Sequence, residues 1–408
     1  MMNFIRDNII KIFFVIIILI IVIVVVVSCM ERPSSSSDET GYLEMENKMQ
    51  NAAIKFTNKN KTLLPKTIDN PRKIQLTTLI KNNYLNEFHA QEDSRIACTG
   101  YVYVEKKYED KDDYRFTPHI RCGKYYETRT IAEHIIENEK VVTSDQGLYK
   151  VTLGTEPVAN TDTENSEEEK VTQKERNMYY YKGEYPNNYI VLDEKMYRII
   201  EITEDNNLKV IATTKTYDTY TWDDRYNKEY DRYYGINDYS KSRIKENLDI
   251  LYNDEEMDED YRFFTETEKD YIVEHDFCVG KRNNEDYNIY SGAECKVTEA
   301  SKVGLITVSE YYRASVSTDC NEIGEQDCNN YNYLYSLRQD GAIPVLYTLT
   351  GVENNTKDVY LIQDGDLTEV RASSSKTLYP VIYLDSNILY KSGTGTSTDP
   401  YIVRWFYV

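Results

Sequence analysis

The sequence predicts an α+β protein made of an N-terminal transmembrane helix, a small helix-plus-antiparallel-sheet domain and a larger mixed α+β domain. Three observations predict it. Residues 12–27 are unbroken apolar; residues 42–58 carry apolar side chains at helical spacing and are followed by alternating segments; and from Met178 onward strand-like stretches enclose two capped helices. At 408 residues the chain is too long for one ordinary core, so two domains and an anchor are expected.

The formal charge is −21, from 69 acidic and 48 basic residues. A phosphate-binding protein needs the opposite sign, so nucleic acid is not an expected partner. The same charge is repelled by an anionic membrane surface and holds the body away from it. Soluble cations, basic partners and neutral sugars stay open. Tyrosine is over-used, 39 copies against 10 phenylalanines. Two readings stand: a recognition surface built from stiff amphipathic rings, or AT-rich codon usage, with tyrosine filling half-buried strands.

The anchor is expected over residues 9–30. At 1.5 Å per residue, about 19 residues span roughly 28 Å, close to the hydrocarbon thickness of a bilayer. Arg6 and Lys11 precede the apolar run, and Glu31, Arg32, Asp38 and Glu39 follow it. Positive charge stays inside, which places the N-terminus in the cytoplasm and the bulk of the chain outside a bacterial cell membrane, crossed once. Val26-Val27-Ser28-Cys29 is similar to a bacterial lipobox, so Cys29 is a candidate lipidation site, and the segment is either an uncleaved anchor or a lipoprotein signal. Either way the lipid bilayer is the expected partner of this segment. Residues 31–41, with Pro33 and four serines, read as a stalk.

Six cysteines remain: Cys98, Cys122, Cys278, Cys295, Cys320 and Cys328. No CxxC occurs and the histidines lack ligand spacing, so structural disulfides are expected over a zinc site, as suits an oxidising exterior. Spacing favours sequential pairs. The first is derivable: residues 101–104 and 114–120 alternate like strands, and a hairpin centred near Asp110 puts Cys98 opposite Cys122, within bridging distance. Cys278 with Cys295, and Cys320 with Cys328, enclose short polar loops.

Residues 42–150 form the expected first domain. Met45, Met49, Ala52, Ala53 and Phe56 mark an amphipathic helix, and Leu76, Leu79, Ile80 and Leu85 a second, short one; the stapled hairpin follows. Leu79-Ile80-Lys81-Asn82-Asn83-Tyr84-Leu85, Cys98-Thr99-Gly100-Tyr101-Val102 and Pro118-His119-Ile120-Arg121-Cys122-Gly123 carry a resemblance over about 85 residues. The region resembles the soluble part of type IV pilin-like proteins at the surface of low-GC Gram-positive bacteria. The cleavage motif that heads the apolar segment of pilins, a Gly, an aromatic and a nearby Glu, is absent here.

Residues 151–177 are polar and acidic without apolar period and read as a linker. Residues 178–408 form the second domain. Strands are expected at 189–192, 196–200 and 208–212, with turns at Asp193-Glu194 and Asp205-Asn206-Asn207. Ser240 could cap a helix through Ile244, Leu248 and Leu251; Thr265 with Glu268 forms a capping box ahead of Tyr271, Ile272 and Val273. Late strands are expected at 304–308, 359–362 and 380–384. Tyr185-Pro186-Asn187-Asn188-Tyr189, Tyr197-Arg198-Ile199-Ile200, Tyr220-Thr221-Trp222-Asp223, Val303-Gly304-Leu305-Ile306 with Glu310-Tyr311, and the ending from Pro380 to Tyr401 carry a second resemblance, over 178–403. It is to an uncharacterised bacterial surface domain related in layout to C-type-lectin-like and formylglycine-generating folds. A tryptophan is usual where Tyr197 stands.

No nucleophile–base pair, P-loop or dinucleotide fingerprint occurs, and His89, His119, His134 and His275 are isolated, so no catalytic residue is assigned. The acidic run at 254–260 lacks the central glycine of an EF-hand. Glu184-Tyr185-Pro186-Asn187 and Trp222-Asp223-Asp224 are only superficially like the calcium-binding tripeptides of C-type lectins, so no metal or other cofactor is expected. The sequence thus points to a non-enzymatic, membrane-anchored extracellular protein for adhesion or ligand binding, its ligand an extracellular protein or glycan. The alternative is a structural component of a pilus-like or secretion assembly.

Overall fold

The computed structural model describes residues 36–68, 70–159, 171–253, 262–337 and 344–404. They fall into two compact units, one ending at Thr128 and one beginning at Arg129. The anchor segment at 9–30 and Cys29 lie outside the described residues, among which no helix is long and apolar enough to cross a membrane.

In the first unit α1 (Ser36–Lys59) is followed by β1 (Arg72–Gln75), α2 (Leu76–Lys81), β2 (Thr99–Lys106), β3 (Tyr114–Cys122) and β4 (Tyr126–Glu127). The strands form an antiparallel sheet in sequence order. The α1 positions 42, 49, 53 and 56 recur every half or whole heptad, which is why Tyr42, Met49, Ala53 and Phe56 are buried along one stripe with Val102, Val104 and Ile120 of the sheet. Glu46, fully buried on the same helix, accepts hydrogen bonds from the Tyr126 hydroxyl at 3.0 Å and from the Thr128 hydroxyl. Lys106 pairs with Tyr114 and Thr99 with Arg121, so the β2–β3 turn is centred on Asp110. The register carries Cys98 to Cys122, which are disulfide-bonded with Cα atoms 4.2 Å apart.

The second unit begins with α3 (Ile131–Asn138), β5 (Gly147–Ala159), β6 (Val171–Lys182), β7 (Tyr189–Leu192), β8 (Lys195–Ile202), β9 (Leu208–Ala212) and β10 (Tyr220–Thr221). Next come α4 (Arg243–Asn253), α5 (Glu266–Lys269), β11 (Ile272–Val273), β12 (His275–Cys278), β13 (Lys281–Arg282), β14 (Thr298–Ser301), β15 (Val303–Gly304) and α6 (Val308–Arg313). The chain closes with β16 (Val345–Val352), β17 (Asp358–Gln363), β18 (Asp366–Arg371), β19 (Ser375–Lys376), β20 (Val381–Leu384), β21 (Leu389–Ser392) and β22 (Tyr401–Arg404).

A ten-stranded sheet runs β11-β20-β9-β8-β7-β22-β21, with β15 added to β20 and the β5–β6 hairpin added to β8. Only the β7–β22 pair in it is parallel. A second sheet runs β13-β16-β17-β18. The β7–β8 turn has Asp193 at φ 45° and Glu194 at φ 71°, the mirror-image turn whose twist matches the strands it joins.

This architecture corrects the expected fold class. Among the described residues the protein is mainly β, with 36% strand against 20% helix, rather than α+β, and none of their helices is long and apolar enough to cross a membrane; the expected transmembrane segment lies outside them. One helix was expected too long, because its capping box nucleates a very short one: α5 has 4 residues and gives way to β11, where Tyr271-Ile272-Val273 was expected to continue it, whereas α3 and α6 were not expected at all. Residues 304–308 were expected as a strand, but β15 ends at Gly304 and α6 starts at Val308. Strands were under-read where they lack alternation. Expected as a linker, 151–159 and 171–177 pair with each other as β5 and β6, leaving 160–170 outside the described residues. The unit boundary accordingly stands at 128/129 and not at 150/151.

Candidate functional site

The device that builds the large sheet is a buried capping box. At α5, Glu268 accepts the Thr265 backbone N–H at 2.9 Å, but it is wholly buried and also accepts from the Tyr197 hydroxyl at 2.6 Å and Lys195 Nζ at 2.9 Å. At α6, Glu310 accepts the Thr307 N–H at 2.8 Å through one oxygen and pairs with Lys209 through the other. Tyr197 lies opposite Ala212 and Lys209 lies opposite Glu201, so the two glutamates grip opposite faces of β8 and β9. The register shift between Ile199 and Glu201 turns Glu201 to the α6 side, where it accepts from Arg313 Nη2 at 2.9 Å. Burial lifts the Glu310 carboxyl, but Lys209 and Arg313 outweigh it and hold the group below the usual carboxylate range.

The loop leaving α6 is fixed in turn. Asn332, fully buried, donates through Nδ2 to the carbonyls of Tyr311 and Cys328, both at 2.9 Å, and accepts the Leu334 N–H at 2.9 Å through Oδ1. Ser315 donates to the Asn330 carbonyl at 2.7 Å, and Val316 N–H to that of Tyr331 at 3.3 Å. The Cys320–Cys328 disulfide closes the excursion between them. Gly183 N–H donates to the Ala314 carbonyl at 2.9 Å, which binds the β6–β7 connection to the same loop. Gly183 has φ +111°, and a Cβ there would stand 2.2 Å from that of Gln146, so only glycine lets the 144–146 loop approach.

These three connections border an open cavity of about 550 Å³. Asp145, Glu184, Asp319, Tyr185 and Tyr331 are among the residues that line it, and no lysine or arginine is among the described lining residues. Tyr185 is 67% exposed and Tyr331 60%. Glu184 is half-buried and accepts from the Tyr185 hydroxyl at 2.7 Å and Ser336 Oγ at 3.4 Å. Such an arrangement holds carboxylates and aromatic faces on a stiff rim open to solvent, which suits reversible binding of a small or segmental ligand. A smaller cavity of about 210 Å³ has Arg282 in its wall, but that guanidinium is committed to Glu294, Ser309 and the carbonyls of Asp286 and Asn288.

Of the residues singled out in the sequence, the six cysteines stand as three disulfides, Cys278 bonding Cys295 with Cα atoms 4.4 Å apart. They staple loops. Glu184 and Tyr185 line the cavity, whereas Trp222 and Asp223 are core: the indole donates to the Thr348 carbonyl at 3.1 Å, and Asp223 accepts from Arg225 Nε and the backbone of Ile236 and Arg243. The segments at 184–187 and 222–224 do not form one site, and among the described residues no group of three or more His, Cys, Asp or Glu side chains could hold a metal ion. His119, His134 and His275 stack on Tyr101, Tyr390 and Tyr383. Asp145, Asp319 and Tyr331 were missed, because nothing in their local sequence announces that three distant loops converge. Comparison with protein-family models, with curated proteins and with solved structures finds no match.

Proposed function

We propose that the chain is a non-enzymatic ligand-binding or adhesion module displayed outside the cell. The observation that supports it is the 550 Å³ cavity, walled by carboxylates and exposed tyrosines on loops tied by a disulfide, a buried asparagine and a capped helix. Rigid loops on a β scaffold lose little entropy on binding. Three disulfides fit an oxidising exterior, and the N-terminal apolar segment supplies the attachment to a lipid bilayer.

The test is to probe glycan and extracellular-protein arrays with the full chain and with a Tyr185→Ala/Tyr331→Ala variant of unchanged melting temperature. Binding that the variant loses supports the reading; identical binding by both proteins, or none by either, refutes it. The alternative, a structural part of a pilus-like or secretion assembly, draws support from the 24-residue α1 lying against the β1–β4 sheet. Cross-linking on intact cells would then trap oligomers through the first unit.

A further inference from the structure

We propose that the smaller cavity is a second binding site, and that it takes one ring of a neutral sugar. It is separate from the larger cavity, and the inference does not depend on what that cavity binds. One wall is a sheet face. Tyr360 lies opposite Glu369 and Ile362 opposite Leu367 in the β17–β18 pair, so Tyr360, Leu367 and Glu369 share a side, and all three line the space. The other wall comes from two stapled loops. The Cys278–Cys295 loop supplies Asn284 and Tyr287, and the Cys320–Cys328 loop supplies Ile323 and Gly324. The Ile323 N–H donates to the Tyr287 carbonyl at 2.8 Å, which ties the two loops together. Two disulfides thus hold one wall, and a wall already fixed loses little entropy when a ligand docks.

The chemistry of the walls selects the ligand. Arg282 is neutralised by Glu294 at 2.7 Å and Asp286 at 3.2 Å, and Glu369 adds a further carboxylate, so an anion is repelled. Asn284 commits its Oδ1 to Asn354 Nδ2 at 2.6 Å, which leaves its own amide N–H groups, with the Glu369 carboxylate, for hydroxyl groups. Tyr287, 52% exposed, joins Ile323 and Leu367 in offering the apolar surface on which the C–H face of a sugar ring packs. A second feature points to a ligand that carries oxygen. Tyr312 is 1% exposed, and its hydroxyl lies beside the backbone of Gly324 and Leu367 with no acceptor for its proton among the described residues. A buried donor is costly to leave unpaired. Both neighbours line the cavity, and Gly324, at φ +96°, has no atom within 4 Å of the place a Cβ would take, so no side chain seals that point. A ligand oxygen seated there, directly or through a water, supplies the missing acceptor. At about 210 Å³ the space is smaller than the roughly 300–1,000 Å³ of sites for drug-sized ligands, which suits a single ring at the end of a glycan.

Saturation-transfer NMR on the full chain, held in a detergent without a sugar headgroup, tests this with methyl glycosides of neutral hexoses and N-acetylhexosamines, and with glucosamine. The expected result is saturable binding of at least one neutral sugar, insensitive to salt and weakened about tenfold by Tyr287→Ala and by Glu369→Gln. Tyr312→Phe, which removes only the hydroxyl, should weaken it about fivefold. Tyr287 and Glu369 are exposed, so their variants keep the fold, which melting curves check. Tyr217→Ala, at a 94% exposed ring outside both cavities, should change nothing. No binding of any neutral sugar overturns the proposal, as does binding that any of the first three variants leaves intact. Binding lost in Tyr331→Ala but kept in Tyr287→Ala moves the sugar to the larger cavity and overturns it too. Glucosamine bound more tightly than the neutral sugars, with an affinity that falls as salt rises, means a cation seated on Glu369 and overturns the neutral ligand.

Discussion

Glu310 carries two duties with one carboxylate, capping α6 at Thr307 and neutralising the buried Lys209. Removing one partner of a buried pair leaves the other charged and desolvated, at a cost of about 3–5 kcal/mol. Glu310→Gln is therefore expected to lower stability by about that much in denaturant unfolding, and adding Lys209→Met should recover part of it. The pH dependence has a definite sign. Because Lys209 and Arg313 hold the Glu310 carboxyl below its ordinary range despite burial, the pair's stabilisation is present above the unfolded carboxylate pKa and is lost as pH falls through the lower folded one. The stability gap between the native chain and Glu310→Gln should thus shrink below about pH 4. A gap constant down to pH 2 would contradict this. Arg198 is a useful contrast. Burial lowers its guanidinium to about 10, and it is held by Asn188 Oδ1, the Tyr189 hydroxyl and the Tyr189 and Tyr333 rings without an acid.

At the scale of elements, short capped helices act as clips. The Thr265 hydroxyl accepts the Glu268 N–H at 3.1 Å and also donates to Asp193 in the β7–β8 turn at 2.6 Å, so Thr265→Ala should cost about 1–2 kcal/mol, more than an isolated cap. Thermal unfolding of the variant checks this. The β2–β3 hairpin closes a disulfide across 24 residues of sequence, and Cys98→Ser/Cys122→Ser is expected to cost the first unit about 3 kcal/mol. How legible such elements were depended on periodicity. Tyr189–Leu192 alternates and sits beside a polar turn, and it was read at its true bounds. Val345–Val352 is buried almost throughout, so its run carries no period, and Asp366–Arg371 is an exposed edge with little apolar content; neither was foreseen. The Thr265–Glu268 box was visible as a motif, while the Thr307–Glu310 box was hidden inside an apolar run that resembles a strand. Of the cavity, only Glu184 and Tyr185 drew notice, and for a different reason. Convergence of loops is set by strand order, which local sequence does not encode.

At the scale of the molecule, a net charge of −21, three disulfides and an open cavity bordered by tyrosines are the observations behind the proposed reading, a module that meets its ligand outside the cell. Tyrosine abundance has a structural side too, since Tyr181, Tyr197, Tyr311, Tyr333 and Tyr401 are buried and hydrogen-bond or stack within the core. The exposed remainder is what recognition can use. The most direct measurement applies a membrane-impermeant thiol reagent to intact cells, with and without an impermeant reductant, followed by peptide mapping. The account predicts that Cys98, Cys122, Cys278, Cys295, Cys320 and Cys328 stay unlabelled until the reductant is added and are then labelled from outside. Thiols that react only after the cells are broken open, without any reductant, would contradict it.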